Sequence, residues 1–299
     1  MYNEENKKAF MQELQADDLR IMYASLFNRS ASYEADLDKD ISSFNLKECM
    51  LLLVGLNPKS IGQVSVLKSQ FNKYVDWAIA NGTASKNYWS LVPIDDDFAK
   101  FAFTSRYIKD LNELTNVVDT GLSTPYDKYV FYLLYMGIMG DNLIEISLLK
   151  DKDVNKSQKT IQTIRWKYND IIEPLFNLIT SGGGYWQEAK PRDFDSPYFV
   201  KPFKTKGKIG EPIGYQYVIR VFQKLHDNLS TANPDNKKNF TPMTIWRSGL
   251  FYALYQIEQT KGSIIKDDYT FISEAYGNNI AFNSFMRDYE LYKEVFWKG

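Results

Sequence analysis

The sequence predicts a mainly α-helical chain with a small β-sheet, divided into two domains. Three observations carry this. Apolar residues recur at a period near 3.6 over several long segments. Strand character is confined to a short region after Val154. Between them, Thr115 to Pro125 is poor in large apolar residues and contains Gly121, Ser123 and Pro125, so it reads as an interdomain linker. At 299 residues the chain is long enough for two cores. The expected domains are a helical one over 1–118 and a second over 119–299.

In the first half, Asn6 to Ser30 carries Phe10, Leu14, Leu19, Met22, Leu26 and Phe27 near a helical period. Ser42 to Leu56 is a second helix with an almost wholly apolar centre, expected to be buried with Cys49 inside it. After the Asn57-Pro58 turn, with Ser60 as N-cap, Ile61 to Asn81 places Val64, Leu67, Phe71, Tyr74, Val75 and Ala78 on one face and stops at Gly82. Phe98 to Leu114 is the next helix.

The second half opens with an apolar helix, Tyr126 to Ile138, a turn at Gly137 and Gly140, and a helix from Asn142 to Lys150. Asn155 to Ile164 is expected as one strand, and Tyr168 to Thr180 as a helix. The Gly-rich loop Ser181 to Gly184 lacks the G-K-[ST] of a phosphate loop and reads as a turn. A further helix follows over Val218 to Leu225.

Tyr126 to Val154, YDKYVFYLLYMGIMGDNLIEISLLKDKDV, resembles the catalytic domain of tyrosine recombinases, the phage integrase family. Glu145-Ile146, Leu149-Lys150 and Asp153-Val154 match its E-L, L-K and D-I pairs, and the register puts Asn142 at the first catalytic arginine. Tyr198-Phe199, Pro212 to Tyr215 and Val218 to Leu225 resemble a later segment, whose helix approaches the DNA major groove. The spacing of the Ile61–Asn81 helix is similar to the family's core-binding domain. In Thr241 to Gly249, Met243 falls at the family's histidine and Trp246 at its second arginine, with Arg247 one place on. Asn278 falls at a further His or Trp position, and Tyr289 stands near the nucleophile, with Tyr292 as second choice. The resemblance implies a recombinase-like architecture, a helical core-binding (SAM-like) domain followed by a degenerate catalytic domain.

The substitutions decide the expected chemistry. Strand exchange needs a tyrosine that attacks a phosphodiester and cationic donors that hold the charge building on the phosphorane. Asn142 brings no positive charge, and Met243 and Trp246 can do neither job. Lys159 and Lys167 are poor matches to the family's hairpin lysine. A tyrosine with an ordinary pKa near ~10 is a weak nucleophile at neutral pH. No catalytic residue is therefore expected. The resemblance implies a DNA-binding protein without recombinase activity, nearest to the recombinase-fold repressors of SPβ-type Bacillus phages (the MrpR type), which hold lysogeny by binding operator elements. Two alternatives stay open: a diverged recombinase using Tyr289, Arg247 and a lysine, and an interaction partner of a recombinase that binds no DNA.

The net charge of −1 is unusual for a DNA-binding chain, but the charge is unevenly spread. The first 40 residues hold nine acids against five Lys or Arg. Two later segments are basic. The first supplies Lys59, Lys68 and Lys73 as candidate DNA contacts. The second supplies Lys204, Lys206, Lys208, Tyr215, Gln216, Arg220, Lys224 and Arg247, and it also contains Lys201. Arg and Gln suit base edges, and Lys suits phosphates. The expected partner is double-stranded DNA, with a homo-oligomer or a regulatory protein as further partners. One Cys and one His, His226, leave no zinc site, no disulfide and no histidine acid–base pair, and no cofactor is expected. His226 is expected on the surface or at a helix end. No apolar run reaches the roughly 18–20 residues that span a membrane. The charged start MYNEENKKAF is not a secretory signal, so the expected location is the bacterial cytoplasm, on DNA.

Overall fold

The computed structural model describes residues 2–56, 58, 61–163, 168–182, 188, 190–204, 210–232, 238–277 and 281–297. The chain divides into two compact units, Met1–Ala102 and Phe103–Gly299.

The first unit is helical. The expected first helix is two, α1 (Glu4–Glu13) and α2 (Asp17–Leu37). Asp17 and Asp18 open α2, where carboxylates favour a helix start through the helix dipole. The break lets α1 fold back, so that Phe10 meets the Tyr23 ring edge-on at 4.8 Å. A capping box between Asn45 and Glu48 fixes the start of α3 (Leu46–Gly55), later than expected. Its centre, including Cys49, is buried as predicted. All six apolar residues expected inward on α4 (Ile61–Ala80) are buried, and Gly82 follows at φ +70. Ser60 lies outside the described residues. Phe71 stacks on Trp89 at 4.3 Å, completing an aromatic core. Inside it, Lys7 is fully buried, bonded to Glu34 and 3.3 Å from Asp40.

The second unit begins within α5 (Asp96–Thr104) and continues through α6 (Leu111–Gly121). This corrects the linker expectation and the boundary near 118. Leu114, Val117 and Val118 are core residues, and the expected linker is the body of α6 and the cap of the next helix. The expected Phe98–Leu114 helix is interrupted because Asp110 caps α6, accepting from Glu113 N at 2.9 Å. Thr124 caps α7 (Pro125–Tyr135), which is almost entirely buried. Around α7 pack α8 (Ile144–Leu148), α9 (Glu173–Thr180) and α11 (Pro242–Lys261), and α10 (Tyr215–Ala232) lies on α6. Two glycines permit these approaches. A Cβ on Gly249 would stand 1.8 Å from the Tyr135 carbonyl oxygen, and one on Gly121 would stand 2.4 Å from Leu225. Helices α12 (Lys266–Tyr276) and α13 (Phe282–Trp297) close a second aromatic cluster around Phe251.

The sheet is antiparallel in the order β1 (Val154–Asn155), β2 (Thr160–Gln162), β3 (Tyr168–Asp170). Two strands replace the single expected one, and Tyr168–Asp170 is a strand, not helix. Lys159, at φ +52, sits in the β1–β2 turn with its ammonium 4.5 Å from the centre of the Phe176 ring. Lys167 lies outside the described residues.

Candidate nucleic-acid interface

Helix α10 is amphipathic because its sequence alternates at helical spacing. Val218, Val221, Phe222 and Leu225 are buried, and Tyr215, Gln216 and Arg220 of the first turns are exposed. Lys204 is exposed on the preceding segment, next to Phe203, whose ring lies 6.1 Å from Tyr217. The structure therefore brings four of the predicted contacts to one end of one helix. Lys206 and Lys208 lie outside the described residues, as do Lys59 and Asn278.

A buried polar network fixes that helix end. Arg192 gives two hydrogen bonds to Glu188, at 2.7 and 2.6 Å, and one to the Lys201 carbonyl at 2.6 Å. It also donates to the Tyr217 hydroxyl at 3.1 Å. Tyr217 in turn donates to Asp127 at 2.6 Å, and Lys224 donates to the other Asp127 oxygen at 2.9 Å. Burial, then the Asp127 carboxylate, hold the Tyr217 hydroxyl well above its ordinary pKa, so it stays a donor. The Arg192 guanidinium lies over the Phe203 ring, 4.4 Å from its centre. Sequence reasoning passed over Asp127, Glu188, Arg192 and Tyr217. The available signal was Asp127 itself, an acid in an apolar helix, since a buried charge requires partners.

The remaining basic candidates are engaged differently. Lys224, with its side chain 42% exposed, is tied to Asp127. Arg247 is half-buried, 3.4 Å from Asp288, and its Nε is buried with no partner among the described residues. Lys68 donates to the Val92 carbonyl at 2.5 Å, and Lys73 is exposed. Lys201, counted in the basic segment, is buried and donates to Asp151 at 2.5 Å. In these four residues, Lys68, Lys201, Lys224 and Arg247, the long side chains reach local oxygens.

At the recombinase-like positions, Asn142 is exposed at φ +51, a left-handed backbone that asparagine tolerates far better than arginine does. Met243 is exposed on the first turn of α11. Trp246 is buried and donates its indole N–H to the Tyr276 carbonyl at 3.2 Å. Tyr289 is fully buried and donates to Glu258 at 2.6 Å. Burial first, then Glu258, push its pKa far above the ordinary value. Tyr292 is also buried and bonded to the Lys109 carbonyl. His226 is not a surface residue. It lies within α10, half-buried, and its Nε2 accepts from Phe240 N at 3.1 Å.

A cavity of about 740 Å³ opens beside the first turns of α10, walled in part by Pro202, Phe203, Pro212, Ile213 and Val221. Among the described residues no His, Cys, Asp and Glu cluster has the make-up of a metal site, and no helix is long and apolar enough to cross a membrane.

A helical first unit, followed by a second unit with a small antiparallel sheet among helices, defines a recombinase-like protein with core-binding and catalytic domains. Two family models match: the MrpR N-terminal core-binding domain over residues 1–80 and the MrpR C-terminal catalytic domain over residues 187–295. The chain belongs to the MrpR family. It is 24% identical over 289 residues to the SPbeta prophage-derived uncharacterized protein YopR of Bacillus subtilis (strain 168), covering 88% of this chain and 85% of that one. Among solved structures it is similar to the Tn1549 transposon integrase (residues 82–397) in complex with circular intermediate DNA, at 14% identity and a TM-score of 0.35, covering 95% of this chain and 97% of that one. It is also similar to the XerA recombinase, at 13% identity and a TM-score of 0.40, covering 96% and 90%.

Proposed function

We propose that this protein is a sequence-specific double-stranded-DNA-binding repressor of prophage lytic genes, with a recombinase fold and no recombinase activity. The observation that carries the reading is the state of Tyr289. Its hydroxyl is sealed in an aromatic core and committed to a carboxylate. Ionising it would place two negative charges 2.6 Å apart, with the tyrosine side of the pair buried away from water. Trp246 and Met243 add no charge to stabilise a phosphorane. The exposed start of α10 supports the binding half of the proposal. Gln216 and Arg220 present groups that can read base edges, and Lys204 presents a phosphate contact beside them. Family membership and the prophage-derived relative support the repressor role and a site of action on DNA in the bacterial cytoplasm.

The test pairs binding with trapping. Duplexes tiled across a prophage that encodes the protein are screened by gel shift, and the shifted duplex is rebuilt with a nick that traps covalent intermediates. A specific shift with no covalent adduct is expected. An adduct that disappears in Tyr289→Phe overturns the reading.

A further inference from the structure

The cavity beside α10 is more than a gap between DNA-reading groups. Its size lies within the usual range of small-molecule sites, and much of its wall is apolar. Two of its carboxylates are already spent. Glu188 gives both oxygens to Arg192, and Asp127 accepts from Tyr217, Lys224 and Arg192. Two cations on its lining, Lys190 and Arg220, have no hydrogen bond or ion pair among the described residues, and neither has the Gln216 amide. An incoming cation reaches Asp127 or Glu188 only by displacing Lys224 or breaking the buried Arg192 network, and the third carboxylate on the lining, Glu211, is exposed and already has a partner. An anion finds unpaired donors at once, and an apolar body attached to it covers Phe203, Pro212 and Ile213.

We propose that this cavity binds a small organic anion with an apolar body, and that this ligand and DNA exclude one another because Arg220 and Gln216 serve both. The exclusion rests on the DNA-binding reading above; the ligand site does not. A bound anion would neutralise Arg220 and cover the end of α10 that faces DNA, which is how a repressor is released by an effector.

The probe is 8-anilinonaphthalene-1-sulfonate, an aromatic sulfonate, titrated into the full chain without DNA and followed by its fluorescence. One saturable site is expected. Lys190→Ala and Arg220→Ala should each weaken binding about tenfold, the loss typical of one charged hydrogen bond. Lys73→Ala, in the other unit, should leave it unchanged. Gly214→Trp offers a second, steric variant, because Gly214 lines the cavity and a Cβ there meets no atom within 4 Å, so the backbone accepts the bulky side chain. Phenyl phosphate should displace the probe, and inorganic phosphate should not. Many weak sites, or a titration unmoved by Lys190→Ala, Arg220→Ala and Gly214→Trp alike, overturns the assignment. In a second arm, the apparent Kd for a shifted duplex should rise linearly with free probe concentration, doubling at the probe's own Kd. A duplex affinity unaffected by saturating probe overturns the exclusion. A chain that shifts no duplex while still binding the probe overturns the DNA reading alone.

Discussion

Tyr289 and His226 are single residues whose surroundings determine their behaviour. Tyr289→Phe removes a hydroxyl that donates to the Glu258 carboxylate, which Lys293 also holds at 2.9 Å. The variant should lose about 1.5–3 kcal/mol in urea melts, the cost of a hydrogen bond to a charged group, and keep its DNA affinity. Weakened DNA binding in a folded variant would place Tyr289 in the function. His226 is held below its ordinary pKa of 6.5 chiefly by burial, opposed by the nearby Asp227. The unfolded chain therefore takes up the proton first, and His226 costs stability as pH falls through that value. Glu34, pushed up to about 7 chiefly by burial, has the opposite sign. Its contribution is present at acid pH and is lost as pH rises through about 7. Comparing His226→Gln with the wild type at pH 7.5 and 5.5 cancels the Glu34 effect. The wild type should lose more stability on acidification, and equal losses would contradict the assignment. None of this was legible from the sequence, where the histidine read as a surface residue. Its burial depends on Phe240, fourteen positions away along the chain.

At the scale of elements, α11 lies against α7 because Gly249 has no side chain. Gly249→Ala must push the Tyr135 backbone aside and should cost about 1–3 kcal/mol, the range for overpacking, measured as a lower urea midpoint. An unchanged midpoint would mean that the two helices can slide apart freely. Helix α10 carries the DNA prediction. Arg220→Ala should reduce discrimination between a shifted duplex and a scrambled one by about 1–3 kcal/mol. Lys204→Ala should weaken both and lower the salt dependence by about one ion. Lys224→Ala should change the salt dependence less, because Asp127 already neutralises Lys224. Salt titrations of all three variants on both duplexes decide this, and three wild-type curves would remove α10 from the interface. The helical period of Val218, Val221, Phe222 and Leu225 made α10 legible, and the buried Asp127–Arg192 network that holds it was not.

At the scale of the whole molecule, the chain folds as two compact units divided near residue 102. Limited proteolysis of the native protein should leave residues 111–121 uncut, since α6 is a core helix and exposed, unpacked backbone is what proteases need. Early cleavage there would restore the linker reading. The linker expectation failed for a specific reason. Thr115 to Pro125 has few large apolar residues, but Val117 and Val118 fall on the same helical face as Leu114, and Gly121 admits Leu225 at close range. A glycine that lets two helices touch looks, in one dimension, like a glycine that ends one.

The sequence alone determined the helical character of both halves, the buried faces of α3 and α4, and the recombinase-like identity carried by Glu145-Ile146, Leu149-Lys150 and Asp153-Val154. The helical character and the buried faces are properties of short-range spacing, written wherever apolar residues recur on one face, and the identity is a resemblance of motifs. Only the tertiary structure decided where the units divide, that Lys68, Lys201, Lys224 and Arg247 are engaged by oxygens or carboxylates of their own unit, and that Asp127 and Arg192 meet across 65 residues of chain. A lysine reads the same in sequence whether it is free or paired. Its partner is chosen by the fold, because burying a charge is tolerable only where an opposite charge or a polar atom arrives from elsewhere in the chain.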